Sequence, residues 1–566
     1  MNLKMAYYGR SQLLSAASGQ TLSFAPNLSR DPVAFDAALC HPLRFREAIS
    51  ALHDVVINDL RFKPRDKTAY QEWKKQQQIK LATLRREELK RAKEEILQKH
   101  ANVPPDLEKE FEHCRSRYWK ARLTYSDYLQ RNDPALWRVL VPCDPVITVD
   151  EDVVFFECFS ADESSYGCLT VDRQGGFDRS AEMRPGTTNV DYSWQLYENF
   201  QSLRSYRQTR FRVDPAGFDV ATPGTEGYRE EKIDLPEGWL RGFMQIQGAM
   251  GLPMRRVSLS REAVYSVLAW MKRHRPRSSP RAMRFELLPG QPPALLLEPW
   301  EQRIVSHGTK YEGPSCEPIR IWGTRRLLVL ARLLPLVESF DVYLLGTGFP
   351  SFWVARMGEM RLTLGLSGWT TNDWTRGSAL DLLAPPVRPS RELVAQVAQG
   401  LHAARAASLD QIQARAVADP AACAAALNHL AHAGQVIYDL TAGLYRWRQV
   451  MPMAVGEAEV GPENVELAAS REIVVRGRVS IESRQEAPRG GKIYVGKVDG
   501  KPVELLVDAD GMIRRGKCVC SHHYKAGIRM GPCRHLLALR QVALQGEGSD
   551  PSADEWYNRL RRWAAN

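Results

Sequence analysis

Near the C-terminus, Cys518-Val519-Cys520 is followed by a twelve-residue loop and then by Cys533-Arg534-His535, which runs into Leu536-Leu537-Ala538-Leu539. No other stretch restricts the available folds so tightly. Three thiols and an imidazole at Cys-x-Cys…Cys-x-His spacing are the soft and borderline ligands that tetrahedral Zn²⁺ prefers. Cys-x-Cys puts both thiolates on one side of an extended segment, because side chains there repeat every two residues. Gly531-Pro532 gives way to an apolar helical run, so Cys533 and His535 can close the site from a helix N-terminus. The alternative, three ordinary buried thiols, leaves the matching of all four positions unexplained. With every coordination position filled by protein, such a zinc is structural.

The chain has 566 residues, enough for several domains, and its 44% hydrophobic content with 14 Trp excludes wholesale disorder. No run of eighteen apolar residues occurs, and the N-terminal stretch has no continuous apolar core of a secretory signal. Ten cysteines are sparse for a disulfide scaffold and fit a reducing cytoplasm. The net charge of +11 is moderate, so its distribution matters more than its total. Arg61 to Lys99 holds 13 Lys/Arg against 6 Asp/Glu, and Gly511 to Arg540 holds 7 Lys/Arg and no acid. Such patches suit phosphate backbones or acidic proteins, although a basic face is often only solvated.

The pattern predicts an α+β multidomain chain. Residues 1–67 form an N-terminal segment whose helix from Leu43 carries Phe45, Ile49, Leu52, Val56 and Leu60 on one face. Residues 68–135 read as a helical hairpin, with Phe111, Cys114, Tyr118, Ala121, Tyr125 and Tyr128 at the spacing of a paired-helix seam. Residues 140–385 read as a mixed α+β body. Its strands are Val146–Val149, Val153–Phe159, Tyr166–Val171, Val342–Leu345, Ser351–Met357 and Met360–Leu366. Its helices are Trp239–Met250, Ser260–Met271 and Thr324–Val337, and a hairpin joins Arg284–Leu288 to Ala294–Glu298. Cys158 and Cys168 fall inside strands and read as core. Gly346-Thr347-Gly348 lacks the third glycine and the Gly-Lys-Ser/Thr of phosphate loops and reads as a hairpin turn. Trp369 to Trp374 is a candidate recognition loop or a pair of tucked tryptophans.

Residues 388–450 predict three helices and a hairpin, the pattern of a winged helix. The third helix, Ala421-Ala422-Cys423 onward, has no Lys or Arg to reach phosphates or guanine edges, and only Arg446 and Arg448 of the hairpin are basic. The unit therefore reads as mainly structural or protein-binding. Residues 465–545 form the zinc module, with strands expected at Glu472–Ile481, Lys492–Val498 and Pro502–Val507. His522 and His523 are spare imidazoles near the site. A helical tail occupies 550–566. No nucleophile elbow, HExxH or Walker A occurs anywhere.

The CxC-x12-CxH pattern resembles the SWIM zinc finger. Ile319-Arg320-Ile321-Trp322-Gly323, Tyr343 to Gly348, Leu364 to Trp369 and Asn372-Asp373-Trp374 are similar to long bacterial SWIM zinc-finger proteins. Those are commonly encoded beside a MoxR-type AAA ATPase and a von Willebrand A-domain protein. The resemblance implies an accessory component of an ATPase-driven system, without chemistry of its own, and carries over a role only for Cys518, Cys520, Cys533 and His535, as zinc ligands. The first reading is thus a non-enzymatic, cytoplasmic zinc-binding adaptor for a protein or nucleic-acid target, with no membrane partner. The second is direct DNA or RNA binding through 511–540 and 61–99, with Arg514, Arg515, Lys517, Lys525, Arg529 and Arg534 as surface cations. An enzyme with a site in 140–385 is the third.

Overall fold

The computed structural model describes residues 12–16, 19–24, 33–57, 113, 117, 145–160, 164–178, 182–189, 201, 203–205, 209–213, 237–277, 279–368, 389–450, 465–487, 491–507, 513–526 and 532–545. By contacts the chain divides into two compact units, one of residues 1–3 and 67–142, the other of 4–66 and 143–566. The expected hairpin falls in the first unit, where only His113 and Arg117 are described, both helical. The 61–99 basic stretch, Cys114, the Trp369–Trp374 loop and the 550–566 tail lie outside the described residues. All that follows concerns the second unit, which is mixed α+β with several antiparallel sheets.

The chain opens with β1 (Gln12–Ala16), β2 (Gly19–Phe24), β3 (Ala34–Leu39) and α1 (Pro42–Ile57). Next come β4 (Val146–Val149), β5 (Val153–Phe159), β6 (Ser165–Asp172), β7 (Glu182–Arg184), β8 (Gly186–Asn189) and β9 (Thr209–Val213). Helix α2 (Glu237–Met250), β10 (Arg255–Ser260) and α3 (Arg261–Arg273) precede β11 (Met283–Glu286), β12 (Ala294–Leu297), β13 (Gln302–Val305) and β14 (Ile319–Ile321). A 3₁₀ helix (Thr324–Leu333) leads to β15 (Ser339–Leu344), β16 (Ser351–Met357) and β17 (Met360–Leu366). The expected α-helix at Thr324–Val337 is thus a 3₁₀ helix. Its buried Leu327, Leu330 and Leu333 recur every three residues, which suits three residues per turn rather than 3.6.

An eight-stranded antiparallel sheet runs β10-β15-β16-β17-β6-β5-β4-β8. Its two meanders meet where β17 pairs with β6, from Met360 opposite Val171 to Leu366 opposite Ser165. Every residue of β5 is buried, Cys158 included, and all of β6 but its last residue, Cys168 included. That burial is why these strands read as unbroken apolar runs rather than alternating ones. Helix α1 from the N-terminal segment covers β5, β6 and β17, with Phe45 edge-on to Phe156 at 5.6 Å. Beside it, β1-β2-β9-β3-β7 and β13-β12-β11-β14 form two further sheets. Leu344 pairs with Ser351, so Gly346 and Gly348 lie in the β15–β16 hairpin loop, and no helix follows them to make a phosphate cradle.

Residues 389–450 supply α4 (Arg391–Ala404), β18 (Ala406–Ala407), α5 (Leu409–Ala416), α6 (Pro420–His432), β19 (Val436–Asp439) and β20 (Leu444–Trp447). Ser390, Ser408 and Asp419 cap the three helices through side-chain oxygens, and Pro420 follows its cap at the first helical position. The strands order as β18-β20-β19. Helix α6 packs on α2, where Asn428 Nδ2 donates to the Gly248 carbonyl at 3.2 Å. A Cβ on Gly248 would stand 2.7 Å from His432 Nε2, so that close approach requires glycine. The two hairpin arginines point inward. Arg446 and Arg448 are each 1% exposed. Arg446 meets Asp150, Asp152 and Asp439, while Arg448 meets Glu157.

The last described region contains α7 (Val465–Val475), β21 (Val479–Ala487), β22 (Gly491–Val498), β23 (Lys501–Val507), β24 (Ile513–Cys518), α8 (Ser521–Ala526) and α9 (Arg534–Gln545). The expected strand at Glu472–Ile481 is corrected here: residues 472–475 end a helix, and the strand begins at Val479. The β-branched Ile473-Val474-Val475 run suggests a strand, but α7 buries Ile473 in a core with Leu536 and Leu539 of α9, and tertiary packing overrides the local preference.

Candidate metal centre

Cys518 is the last residue of β24, paired opposite Val503 of β23, so the sheet fixes the first thiol. Cys520 sits immediately before α8: its carbonyl accepts the Tyr524 amide at 2.9 Å, and its sulfur accepts the His523 amide at 3.4 Å. Cys533 plays the same part before α9, its carbonyl accepting the Leu537 amide at 3.0 Å. Two of the three sulfurs therefore lie at helix N-termini, where unpaired amides and the helix dipole favour negative charge. His535 follows on the first turn of α9. The sequence folds this way because Gly516 leaves room: a Cβ there would lie 2.6 Å from Leu536 Cδ2, the side chain that anchors α9 on the sheet.

The four ligand atoms lie within 4.8 Å of one another. Cys520, Cys533 and His535 are buried, and Cys518 as a whole residue is half-buried. The donor set fits a metal ion on two observations. His535 Nδ1 is buried with no hydrogen-bond partner among the described residues. The thiols, moreover, crowd one another electrostatically. Burial first, then the charges of Cys518 and Cys520, outweigh the Leu536 amide and push the Cys533 thiol up to about 12. Burial likewise raises Cys518, while at Cys520 the amide of His523 and neighbouring donors overcome burial and lower it. A cation among the sulfurs would relieve that crowding. Burial, then Lys501 and Arg534, lowers the His535 pKa, which favours the neutral imidazole that ligates. The centre can bind a metal ion.

One supporting residue is silent in the sequence. Glu466, near the start of α7, accepts from the Arg534 amide at 2.7 Å and from Arg534 Nε and Nη2 at 3.2 and 2.7 Å. Burial works against its carboxylate, but these bonds prevail and lower its pKa. His522 Nδ1 lies 3.8 Å from the same carboxylate. Glu466 thus clamps the residue between the ligands Cys533 and His535, from 68 positions away. Neither His522 nor His523 belongs to the four-residue cluster.

The predicted surface cations separate into groups. Arg514 and Arg515 are exposed on β24. Lys517 pairs with Glu504 at 2.7 Å and Arg534 with Glu466, so acids from neighbouring elements offset a stretch that has none of its own. The Lys525 side chain and all of Arg529 lie outside the described residues. Arg446 and Arg448 are internal and reach no outside partner.

No family model matches the chain and no curated protein matches it in sequence. Among solved structures it is similar to the proliferating cellular nuclear antigen of Entamoeba histolytica, at 10% identity and a TM-score of 0.27, over 41% of this chain and 91% of that one. It is also similar to the structure of the C-terminal region of FEN-1 bound to A. fulgidus PCNA, at 11% identity and a TM-score of 0.27, over 42% and 92% of the two chains. At these scores neither likeness carries an argument about this chain. No described helix is long and apolar enough to cross a membrane.

Proposed function

We propose that the protein is a non-enzymatic zinc-binding adaptor of the SWIM type, working beside a MoxR-type AAA ATPase and a von Willebrand A-domain protein. The single observation that carries the zinc part is the buried Cys518, Cys520, Cys533 and His535 cluster, four protein donors of the set and number that a structural zinc takes. Such a site leaves no position for an activated water, so the metal builds a surface instead of a reaction centre. The ATPase connection rests on the sequence resemblance.

In this reading residues 389–450 are a winged-helix-type module turned inward. The α4-β18-α5-α6-β19-β20 order and the β18-β20-β19 sheet support the type. Its third helix lies on α2 and its hairpin arginines are buried in the body, which supports a bracing role over base readout. The test is affinity purification of full-length protein from its native cells, beside a Cys533→Ser variant. The reading expects both partner classes to co-purify with the wild type and to be depleted from the variant. Equal recovery from both, or recovery of neither, overturns it.

A further inference from the structure

A second stretch of cations with no acid of its own lies elsewhere. Between Ala263 and Phe285 the chain places six Lys/Arg and no acid. Lys272 and Arg273 end α3, and Arg275 and Arg277 follow it. All four are exposed, and none forms an ion pair or hydrogen bond among the described residues. Helix α3 packs on the 3₁₀ helix, whose Arg325 is half-exposed and equally unpaired. Arg325 loses basicity first to burial and then to repulsion from Arg275, so these two charges share one neighbourhood. The acids of the adjoining strands are already engaged: Glu286 by Arg303, Glu301 by Arg284, and Glu298 by Arg284 and Arg320.

Two aromatic rings, Trp270 and His274, alternate with these cations along the chain, and Trp300 joins them from the turn after β12. The His274 ring stacks on Trp270 at 3.9 Å and 20°, held by the Trp270 carbonyl, which lies 3.1 Å from His274 Nδ1 and accepts the His274 amide at 2.9 Å. Trp300 meets both edge-on, at 6.2 and 5.8 Å. All three are half-exposed. Unneutralised arginines beside aromatic rings are the combination with which proteins follow a nucleic-acid strand, the guanidinium forks meeting phosphates and the rings offering stacking surface. An acidic peptide would use the charges and leave the rings without a role.

We propose that Lys272, Arg273, Arg275, Arg277 and Arg325, with the Trp270–His274–Trp300 cluster, form a binding surface for the phosphate backbone of a nucleic acid. The surface is separate from the metal centre and does not depend on it. The apolar periodicity of α3 ends at Met271, where the charges begin.

The test is fluorescence anisotropy of a labelled single strand and a labelled duplex with full-length, zinc-loaded protein over a salt series. The comparison variants are Lys272→Gln/Arg273→Gln/Arg275→Gln/Arg277→Gln and, keeping charge but not the fork, Arg273→Lys/Arg275→Lys/Arg277→Lys. The first should bind at least about tenfold more weakly. Each lost contact flattens the log–log salt slope by about 0.7 on a single strand or about 0.9 on duplex, and the preferred probe names the form of nucleic acid. The second should keep the slope. All side chains altered are exposed, and unchanged metal content keeps the outcome distinct from that of the zinc site. Three results would overturn the proposal: wild type that binds neither probe at low salt, a glutamine variant with unchanged affinity and slope, or displacement by polyglutamate at equal charge, which would mark an acidic-protein surface.

Discussion

Arg448 Nη1 lies 3.2 Å from Glu157 Oε2, with both side chains wholly buried, and 291 residues of sequence separate them. The pair joins the segment after β20 to the middle of β5. Tyr166 donates its hydroxyl to Glu157 Oε1 at 2.7 Å, and Gln247 Nε2 adds a contact at 3.5 Å. Burial raises the Glu157 pKa despite Arg448 and then Tyr166, so the carboxylate depends on its partner. Arg448→Met should therefore destabilise the body by about 3–5 kcal/mol, the range for a buried pair broken on one side. The loss should grow as pH rises and an unpaired Glu157 is forced to ionise. Arg448→Met with Glu157→Gln should recover much of it, as read by denaturant midpoints.

His432, at the α2–α6 contact, gives the docked unit an acid sensitivity. Burial first, then His429, lowers its pKa from 6.5 to about 4. Between those values the unfolded chain holds more protons, so stability is full above pH 6.5 and falls as pH drops toward 4. The shift corresponds to on the order of 3 kcal/mol. Hydrogen exchange in α6 should accelerate from pH 7 to pH 5 beyond the intrinsic change, and His432→Leu should remove most of that acceleration. An identical profile in the variant would assign the sensitivity to other groups.

Glu466 should matter to the metal through Arg534. In Glu466→Gln the charge that holds Arg534 is gone while the side-chain shape stays. Zinc affinity, measured by competition with a chromophoric chelator, should fall by about tenfold, the lower end for residues that support ligands without touching metal. Glu466→Asp, whose carboxylate is one methylene short of Arg534, should fall between. No change in Glu466→Gln would make the clamp a packing contact only.

The legible parts of the sequence were those with local causes. Six strands of the eight-stranded sheet, β4, β5, β6, β15, β16 and β17, appear as apolar runs, and the candidate metal ligands as Cys and His at fixed short spacings. What escaped depends on distant partners. Arg446 and Arg448 look like hairpin cations until Asp150, Asp152 and Glu157 arrive from across the fold. The acid-free 511–540 stretch looks wholly basic until Glu466 and Glu504 reach Arg534 and Lys517. Residues 472–475 follow the same rule, since packing against α9 keeps that β-branched run helical.

Chelation should be local in effect. A metal ion lends its binding energy to the core of Ile473, Tyr494, Leu505, Leu536 and Leu539, which encloses Cys520 and Cys533. Stripping it should expose the 513–545 segment to protease while the eight-stranded sheet stays protected. Loss of protection throughout would mean that the module and the body unfold together.

A closed four-ligand zinc site is open to a direct check by X-ray absorption at the zinc edge on stoichiometrically analysed protein. The spectrum should show one zinc per chain with three sulfurs at about 2.3 Å and one nitrogen at about 2.0 Å. In Cys533→Ser, one sulfur should disappear from that shell or the metal should be lost. Protein purified without chelators that holds no zinc, or a shell containing a water oxygen in place of His535, would contradict it.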